Sequence, residues 1–393
     1  RIPALAVRWH FAERIRAMLA LARSEPGIPV LPENLDADPW ALNCGNGIID
    51  LKTGQLRPHD PGALCTKLAP VDYNPNVRSP LWEQFVADVC DNDPDYATFL
   101  QRAAGYSLTG VTTEEKLFFA YGPKHTGKTT FLEAVSKTMG GYALTADFTT
   151  FLVRDVNAIR EDVARLQGAR MVKSVEVAEG TKLAEGLVKQ ITGGDTMTAR
   201  KMRQNSFEFL PQCKIWFAAN NAPRARDDDE ALWRRILRMP FKPSFEAPGH
   251  PANPAVKAIL TDIAQSGAAI LRWMVLGCLE WQQFGLPVPD VVLQETEAYK
   301  TENDPLTEFF DDELVFAPHC FSVTTRLQSS YATWARQAGI KYPLSQRSFG
   351  IRLTRKGCKR DVMRIGAHTV RIWRGVGFRA EETQGELVTD NQS

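Results

Sequence analysis

What this 393-residue chain lacks narrows its reading before any motif is considered. No apolar run approaches the roughly 18 residues that a membrane-crossing helix requires, which excludes a membrane-helix bundle. No charged leader with an apolar core opens the sequence, so no secretory signal is read and a cytoplasmic protein is expected. The seven cysteines, spread from Cys44 to Cys358, form no C-x-x-C pair and have no histidines at zinc spacing. This odd, dispersed set argues against a zinc module and reads as reduced, mostly buried thiols. Lysine and arginine number 47 against 46 acids, a net charge of +1. A uniformly basic coat is thereby excluded, and any nucleic-acid contact has to come from local patches. The chain opens on Arg1 rather than methionine, as expected of a processed protein or a piece of a longer one.

What is present suits a protein with ample core: 44% of residues are hydrophobic and 24% charged, at a length that predicts two or three domains. Apolar Phe11, Ile15, Met18 and Leu19 recur at helical spacing within Trp9–Leu21, and Pro26, Pro29 and Pro32 then make a rigid connection. Asp36 and Asp38, beside Pro39, read as turn formers rather than a polymerase-type metal pair. Residues 43–51 and 55–57 predict two short strands joined at Lys52-Thr53-Gly54. Between Pro80 and Leu108 the pattern is helical, broken into two helices at Asp91-Asn92-Asp93-Pro94. Residues 255–285 are strongly helical, 286–305 read as a linker, and a small unit follows to residue 378 before a polar tail from Glu381 to Ser393.

The stretch around which the rest is organised runs from Leu117 to Thr130. A buried apolar strand leads into Gly122-Pro123-Lys124-His125-Thr126-Gly127-Lys128-Thr129-Thr130, and a helix follows to Met139. This is the G-x-x-x-x-G-K-[ST] phosphate loop in its required strand–helix context. The glycines let backbone N–H groups turn inward around a polyphosphate, and the helix aims its positive end at the same place. Lys128 then reaches the β- and γ-phosphates of ATP, and the Thr129 hydroxyl binds Mg²⁺. A second strand, Gly168–Glu176, delivers the acid Glu176, with Glu179 three residues on; such an acid holds Mg²⁺ and orients water. A third, Gln212–Ala219, delivers the amide of Asn220, and Trp233-Arg234-Arg235-Ile236 follows.

In that order, these motifs resemble superfamily 3 helicases, most closely the phage- and plasmid-type primase-helicases related to those of poxviruses. Asn46-Gly47-Ile48-Ile49-Asp50-Leu51 with Thr53-Gly54 resembles the module preceding the helicase core in that family. Ile191-Thr192-Gly193-Gly194-Asp195 with Thr198-Ala199-Arg200 resembles another of its signatures, and the likeness covers about residues 15–378. The resemblance implies an α/β fold: a P-loop, AAA+-like core with a helical N-terminal module and a C-terminal winged-helix domain. It implies that Glu176 is the Walker B acid, Asn220 the sensor, and Arg235, with Arg234 beside it, the arginine finger that reaches a neighbouring subunit's ATP. A ring follows, with a hexamer expected. Thr126 and the Lys173 inside the acid strand depart from the usual phage pattern.

Thr196–Met202 and Phe207–Leu210 predict a hairpin with Arg200, Lys201 and Arg203 near its tip. In the family the corresponding hairpin lines the channel and grips DNA, so these three are the expected DNA contacts. Near the C-terminus Lys341, Arg347, Arg352, Arg355, Lys356, Lys359, Arg360, Arg364, Arg371 and Arg374 face only Asp361. Helices at 327–338 and 345–356 and a hairpin from Lys359 to Trp373 turning at Gly366 suggest a winged helix that binds DNA. The expected divisions are residues 1–110, 111–245, 246–300, 301–379 and 380–393. The function read from these features is an ATP-driven DNA helicase of phage or plasmid replication, typically moving 3′ to 5′ and often preceded by a primase domain. A DNA-binding ATPase switch shares the same motifs, whereas a small-molecule P-loop kinase has no use for the basic C-terminal unit.

Overall fold

The computed structural model describes residues 12–153, 160–175, 181–202, 204–225, 229–242, 254–304, 306–338, 340, 343–365 and 368–379. The chain divides into two units, Arg1–Arg224 with Arg234–Thr296, and Ala225–Trp233 with Glu297–Ser393.

The first unit begins with helix Ala12–Ala22, which buries none of its residues; Ile15, Met18 and Leu19 are all exposed, and Phe11 lies outside the described residues. The apolar stripe read from the sequence is thus left largely exposed among the described residues. Three antiparallel strands follow, β1 (Ala41–Cys44), β2 (Gly47–Asp50) and β3 (Gln55–Arg57). The stretch 43–51, expected as one strand, reverses at Gly45–Asn46. The Asn46 amide closes that reversal, donating to Tyr73 O at 3.0 Å and accepting from Tyr73 N at 2.9 Å. Asn46 and Gly47 are therefore structural: a Cβ at Gly47 would fall 2.3 Å from Arg57 O.

Helices Pro80–Val89 and Pro94–Tyr106 start at Ser79 and Asp93 caps, with Asp91 and Asn92 in left-handed conformation between them. The second crosses helix Ala268–Phe284 closely, because a Cβ on Gly105 would meet Cys278 N at 2.1 Å and one on Gly277 would meet Gln101 O at 2.2 Å.

Seven more strands continue the unit: β4 (Leu117–Tyr121), β5 (Ala143–Thr145), β6 (Met171–Val175), β7 (Met197–Arg200), β8 (Ser206–Phe209), β9 (Lys214–Ala219) and β10 (Ile236–Pro240). Five of them form a parallel sheet in the order β10-β4-β9-β6-β5, consistent with a P-loop helicase core. β9 is buried along its whole length, which explains its near-continuous apolar run: both faces of a parallel sheet are covered. Trp216 of β9 stacks on Phe118 and meets Phe131 at a tilt in the core. β7 and β8 form the separate hairpin.

Residues 286–305, expected as a linker, contain helix Asp290–Glu302. Pro289 and Asp290 start it, and Val292 and Tyr299, one on each unit's side of the division, are fully buried. Widely spaced apolar positions in a polar helix hid its periodicity.

In the second unit, helix Leu306–Glu313 leads to β11 (Leu314–Val315) and β12 (Phe321–Val323). Helices Thr324–Gln337 and Gln346–Arg355 follow, then β13 (Lys359–Ile365), β14 (His368–Arg374) and β15 (Gly377–Phe378). The sheets are β12-β14-β13 and β11-β15, packed on Phe309, Tyr331, Phe349, Leu353 and Trp373. The ten-to-one excess of basic side chains read from the sequence is smaller in space. Arg352 is 3% exposed and paired with Asp304, Arg355 reaches Glu230 at 2.8 Å, and Arg374 holds Asp361 at 2.6 Å. Acids distant in sequence supply two of these partners; Lys341 lies outside the described residues.

Candidate nucleotide site

A cleft of about 780 Å³ opens at the C-terminal ends of β4, β6 and β9, where an open parallel sheet places its ligands. Its floor is the loop from Lys124 to Thr130, joined by Val175, Asn220, Asn221 and Lys257. Gly127 adopts φ +85°, a left-handed conformation suited to glycine, and the helix Lys128–Met139 starts at once without a side-chain cap. Its first N–H groups are left for a ligand, and the helix dipole favours an anion there. Lys128 is buried and turns its ammonium onto the loop itself, donating to Gly122 O at 2.8 Å, to Thr126 Oγ1 at 3.1 Å and to Pro123 O. A polyphosphate fits this arrangement, since its oxygens can replace those carbonyls as acceptors.

Thr129 lies in the cleft as the sequence predicts. β6 is described over Met171–Val175, and Glu176 and Glu179 both fall outside the described residues. Among the described residues no three His, Cys, Asp or Glu side chains gather as a metal set. A Mg²⁺ bound with nucleotide draws its ligands chiefly from phosphate and water, so it needs no such cluster of protein side chains. Lys173, half-buried in β6, has its ammonium pulled down by burial, with Glu133 opposing and Lys137 and Lys257 reinforcing the shift. Asn220 is exposed just past β9. Motif reading missed Lys257, which reaches the cleft from helix Pro254–Thr261 and pairs with Glu133 at 3.5 Å. Nothing local in the sequence marks it; only the tertiary fold brings it there.

Burial pulls the Lys128 ammonium down to about 8. The neutral form is therefore favoured in the free folded protein between about 8 and the usual lysine value near 10.4, and the associated stability penalty is relieved as pH rises through that window. Phosphate binding has the opposite demand, because it requires the charged form. Nucleotide affinity is accordingly expected to fall as pH rises above 8, by up to about tenfold per pH unit. Calorimetry near pH 8.5 in two buffers of different ionisation enthalpy would show proton uptake on binding; equal heats would refute it.

Arg234 and Arg235 precede β10, whose first residue Ile236 pairs with Leu117 while Pro240 pairs with Tyr121. They thus lie at the opposite end of the sheet from the phosphate loop, about 16 Å away for a five-residue strand. Arg235 is 11% exposed and bound to Glu115 Oε2 at 2.7 Å; Arg234 is 69% exposed and 3.8 Å from the same oxygen. Gly193 of the Thr192-Gly193-Gly194 signature lies beside Arg235, where a Cβ would be 3.7 Å from Nη2, and Gly194 ends its helix in left-handed conformation.

The hairpin forms as expected, with Arg200 on β7 donating to Gln204 O at 3.1 Å and Lys201 over the Phe207 ring at 5.5 Å. Met202 is exposed at the tip, and Arg203 lies outside the described residues.

Comparison with known proteins agrees with the motifs. Residues 12–91 match a family described as D5 N terminal like, and residues 120–235 match a family of unknown function, DUF5906. "Putative helicase 022R" of Frog virus 3 is 24% identical across 91% of this chain and 44% of its own length. "Putative helicase L207/L206" of Acanthamoeba polyphaga mimivirus is also 24% identical, across 73% of this chain and 32% of its own. "Putative primase C962R" of African swine fever virus is 22% identical across 77% and 34%. The chain thus spans a third to under half of these relatives. The apo C-terminal region of NrS-1 overlaps 82% of this chain and 88% of its own at 12% identity and a TM-score of 0.44, too low to carry an argument. The chain resembles the D5-like primase-helicases. No described helix is long and apolar enough to cross a membrane.

Proposed function

We propose that this chain is the ATP-hydrolysing, DNA-translocating portion of a replicative primase-helicase, working as a ring. The observation that carries the reading is the uncapped helix start beneath a buried lysine, in a cleft that also takes the Asn220 amide from the neighbouring strand end. Lys128 leaves the loop carbonyls to donate to the β- and γ-phosphates of ATP, and Thr129 and Glu176 would hold Mg²⁺. When bound, that ion neutralises charge on the phosphates. Asn220 orients the water that attacks the γ-phosphorus, and the bond to the ADP oxygen breaks as phosphate forms.

The placement of Arg234 and Arg235 at the far end of β10 from the phosphate loop supports a role at a neighbour's cleft rather than their own. The resemblance makes Arg235 the finger; the 69% exposure of Arg234 favours Arg234 as the arginine that reaches across, with Arg235, held by Glu115 at 2.7 Å, positioning the turn that presents it. Arg200 and Lys201 of the hairpin contact DNA in the channel. We read the second unit, in which two helices precede the β13–β14 hairpin, as a winged-helix-like domain that makes a second DNA contact.

The reading is tested by measuring ATP turnover with and without single-stranded DNA, alongside strand displacement from a fork. Stimulation with displacement, both lost in Lys128→Ala, supports it. Stimulation without displacement leaves a DNA-dependent switch, and turnover indifferent to DNA refutes the translocase.

A further inference from the structure

The second unit contains a cleft that the nucleotide chemistry does not use. About 700 Å³ in volume, it opens between the starts of helices Thr324–Gln337 and Gln346–Arg355 and the β13–β14 ribbon. Register pairs Arg360 with Trp373 and Val362 with Arg371, so alternation places Arg360, Arg371 and Trp373 on one face of the ribbon. Arg347 enters from the helix opposite.

Three features define what this cleft accepts. Arg347, Arg360 and Arg371 are exposed, and no ion-pair partner of theirs is found among the described residues. The acid in the lining, Asp361, is already engaged by Arg374. Trp373 is only 3% exposed and lies under the Arg360 guanidinium, 5.0 Å from the ring centroid, so no aromatic face is offered to a base. Gly350 makes room for this layer: a Cβ there would meet Arg360 Nη2 at 2.4 Å. Gln328, Gln346 and Thr324 add neutral hydrogen-bonding groups around the cations.

Unpaired guanidiniums bind phosphate strongly and bidentately, whereas base reading needs an edge or a stacking face. The geometry points to a binding site for the DNA sugar–phosphate backbone, read without regard to sequence, with Arg347 and Arg371 as the phosphate contacts and Arg360 fixed over Trp373 between them. This deepens the proposed DNA-binding role of the unit and rests on it. It also reduces the ten basic residues of the sequence reading to three that converge.

The test is fluorescence anisotropy of labelled single- and double-stranded oligonucleotides with the full chain, without nucleotide and across a salt series. R347A/R371A is expected to bind at least tenfold more weakly at low salt. The slope of log affinity against log salt should shrink by about two, equally for unrelated sequences. R347K/R371K should keep most of the slope, and R200A/K201A, run in parallel, should lose affinity independently. If R347A/R371A stays folded by circular dichroism yet matches wild type in affinity and slope, the cleft assignment is wrong while the translocase reading survives. If tripolyphosphate raises the melting temperature of wild type but not of R347A/R371A and DNA binding is equal, the cleft serves free polyphosphate and the assignment again fails. If the cleft variant loses DNA binding although DNA never stimulates turnover, the cleft stands and the translocase falls.

Discussion

Arg234→Ala is expected to cut DNA-stimulated ATP turnover by about a thousandfold or more, the scale of an arginine supplied to a neighbour's transferring phosphate. The argument is positional. β10 runs parallel to β4, so Arg234, two residues before Ile236, sits more than a strand length from the phosphate loop, beyond its reach within the same chain. At 69% exposure the Arg234 side chain leaves little behind when removed, so nucleotide affinity and melting temperature should hardly change. Mixing the variant into wild type should depress turnover beyond its share, because each defective subunit silences the adjacent site. Arg235→Ala is predicted to behave differently. It leaves Glu115, a non-glycine residue at φ +52°, without its 2.7 Å partner, and so loosens the 112–117 turn as well as lowering turnover. Linear dilution in Arg234→Ala mixtures would remove the trans role from Arg234; a dead but normally folded Arg235→Ala beside an active Arg234→Ala would return it to Arg235.

The second large effect concerns stability. Arg170, just before β6, is almost fully buried, and among the described residues its hydrogen bonds go to backbone carbonyls. Its guanidinium donates to Leu108 O at 2.8 Å, Ala41 O at 2.9 Å and Asp38 O at 3.1 Å, and lies 4.6 Å over the Tyr142 ring. One side chain thus ties β1 and the end of helix Pro94–Tyr106 to the parallel sheet. Lys214, opening β9, does the same for Val111 O at 3.2 Å and Gln212 O at 3.1 Å, with Thr109 O as a third acceptor. Burial drives its ammonium well below the ordinary lysine value. Arg170→Ala strands the buried Leu108 and Ala41 carbonyls and removes the donor to Asp38 O, and is expected to cost about 3 kcal/mol. Lys214→Met should cost less, because it also removes the penalty of burying an ammonium in a space methionine fills. Urea unfolding followed by tryptophan fluorescence would show both, and an Arg170→Ala midpoint unchanged from wild type would refute the pin.

Neither buried cation could be read as structural from its position in the chain. Lys214 looks like the polar edge of an apolar strand, and two of its three acceptors, Thr109 O and Val111 O, are about a hundred residues earlier. The same limit explains Arg352 and Arg355, counted as free surface charge until Asp304 and Glu230 are found beside them. It also explains Lys257 in the nucleotide cleft. Helix Asp290–Glu302 escaped because its buried contacts come from elements remote in sequence rather than from its own periodicity.

By itself the sequence determined whatever depends on local geometry. A glycine loop must bend where Gly122 and Gly127 allow it, the helix must start at Lys128, and Asp91-Asn92-Asp93-Pro94 must break one helix from the next. Buried strands announced themselves through apolar runs, and the residues at their ends were named with them. Tertiary structure alone decided which charges meet. It placed Arg235 against Glu115, left Arg234 exposed, spent three arginines of the C-terminal unit on ion pairs and left three others facing one cleft. The physical reason is range: backbone conformation is set by neighbours in sequence, whereas the state of a charged side chain is set by whatever oxygen atoms the folded chain brings within a few ångströms.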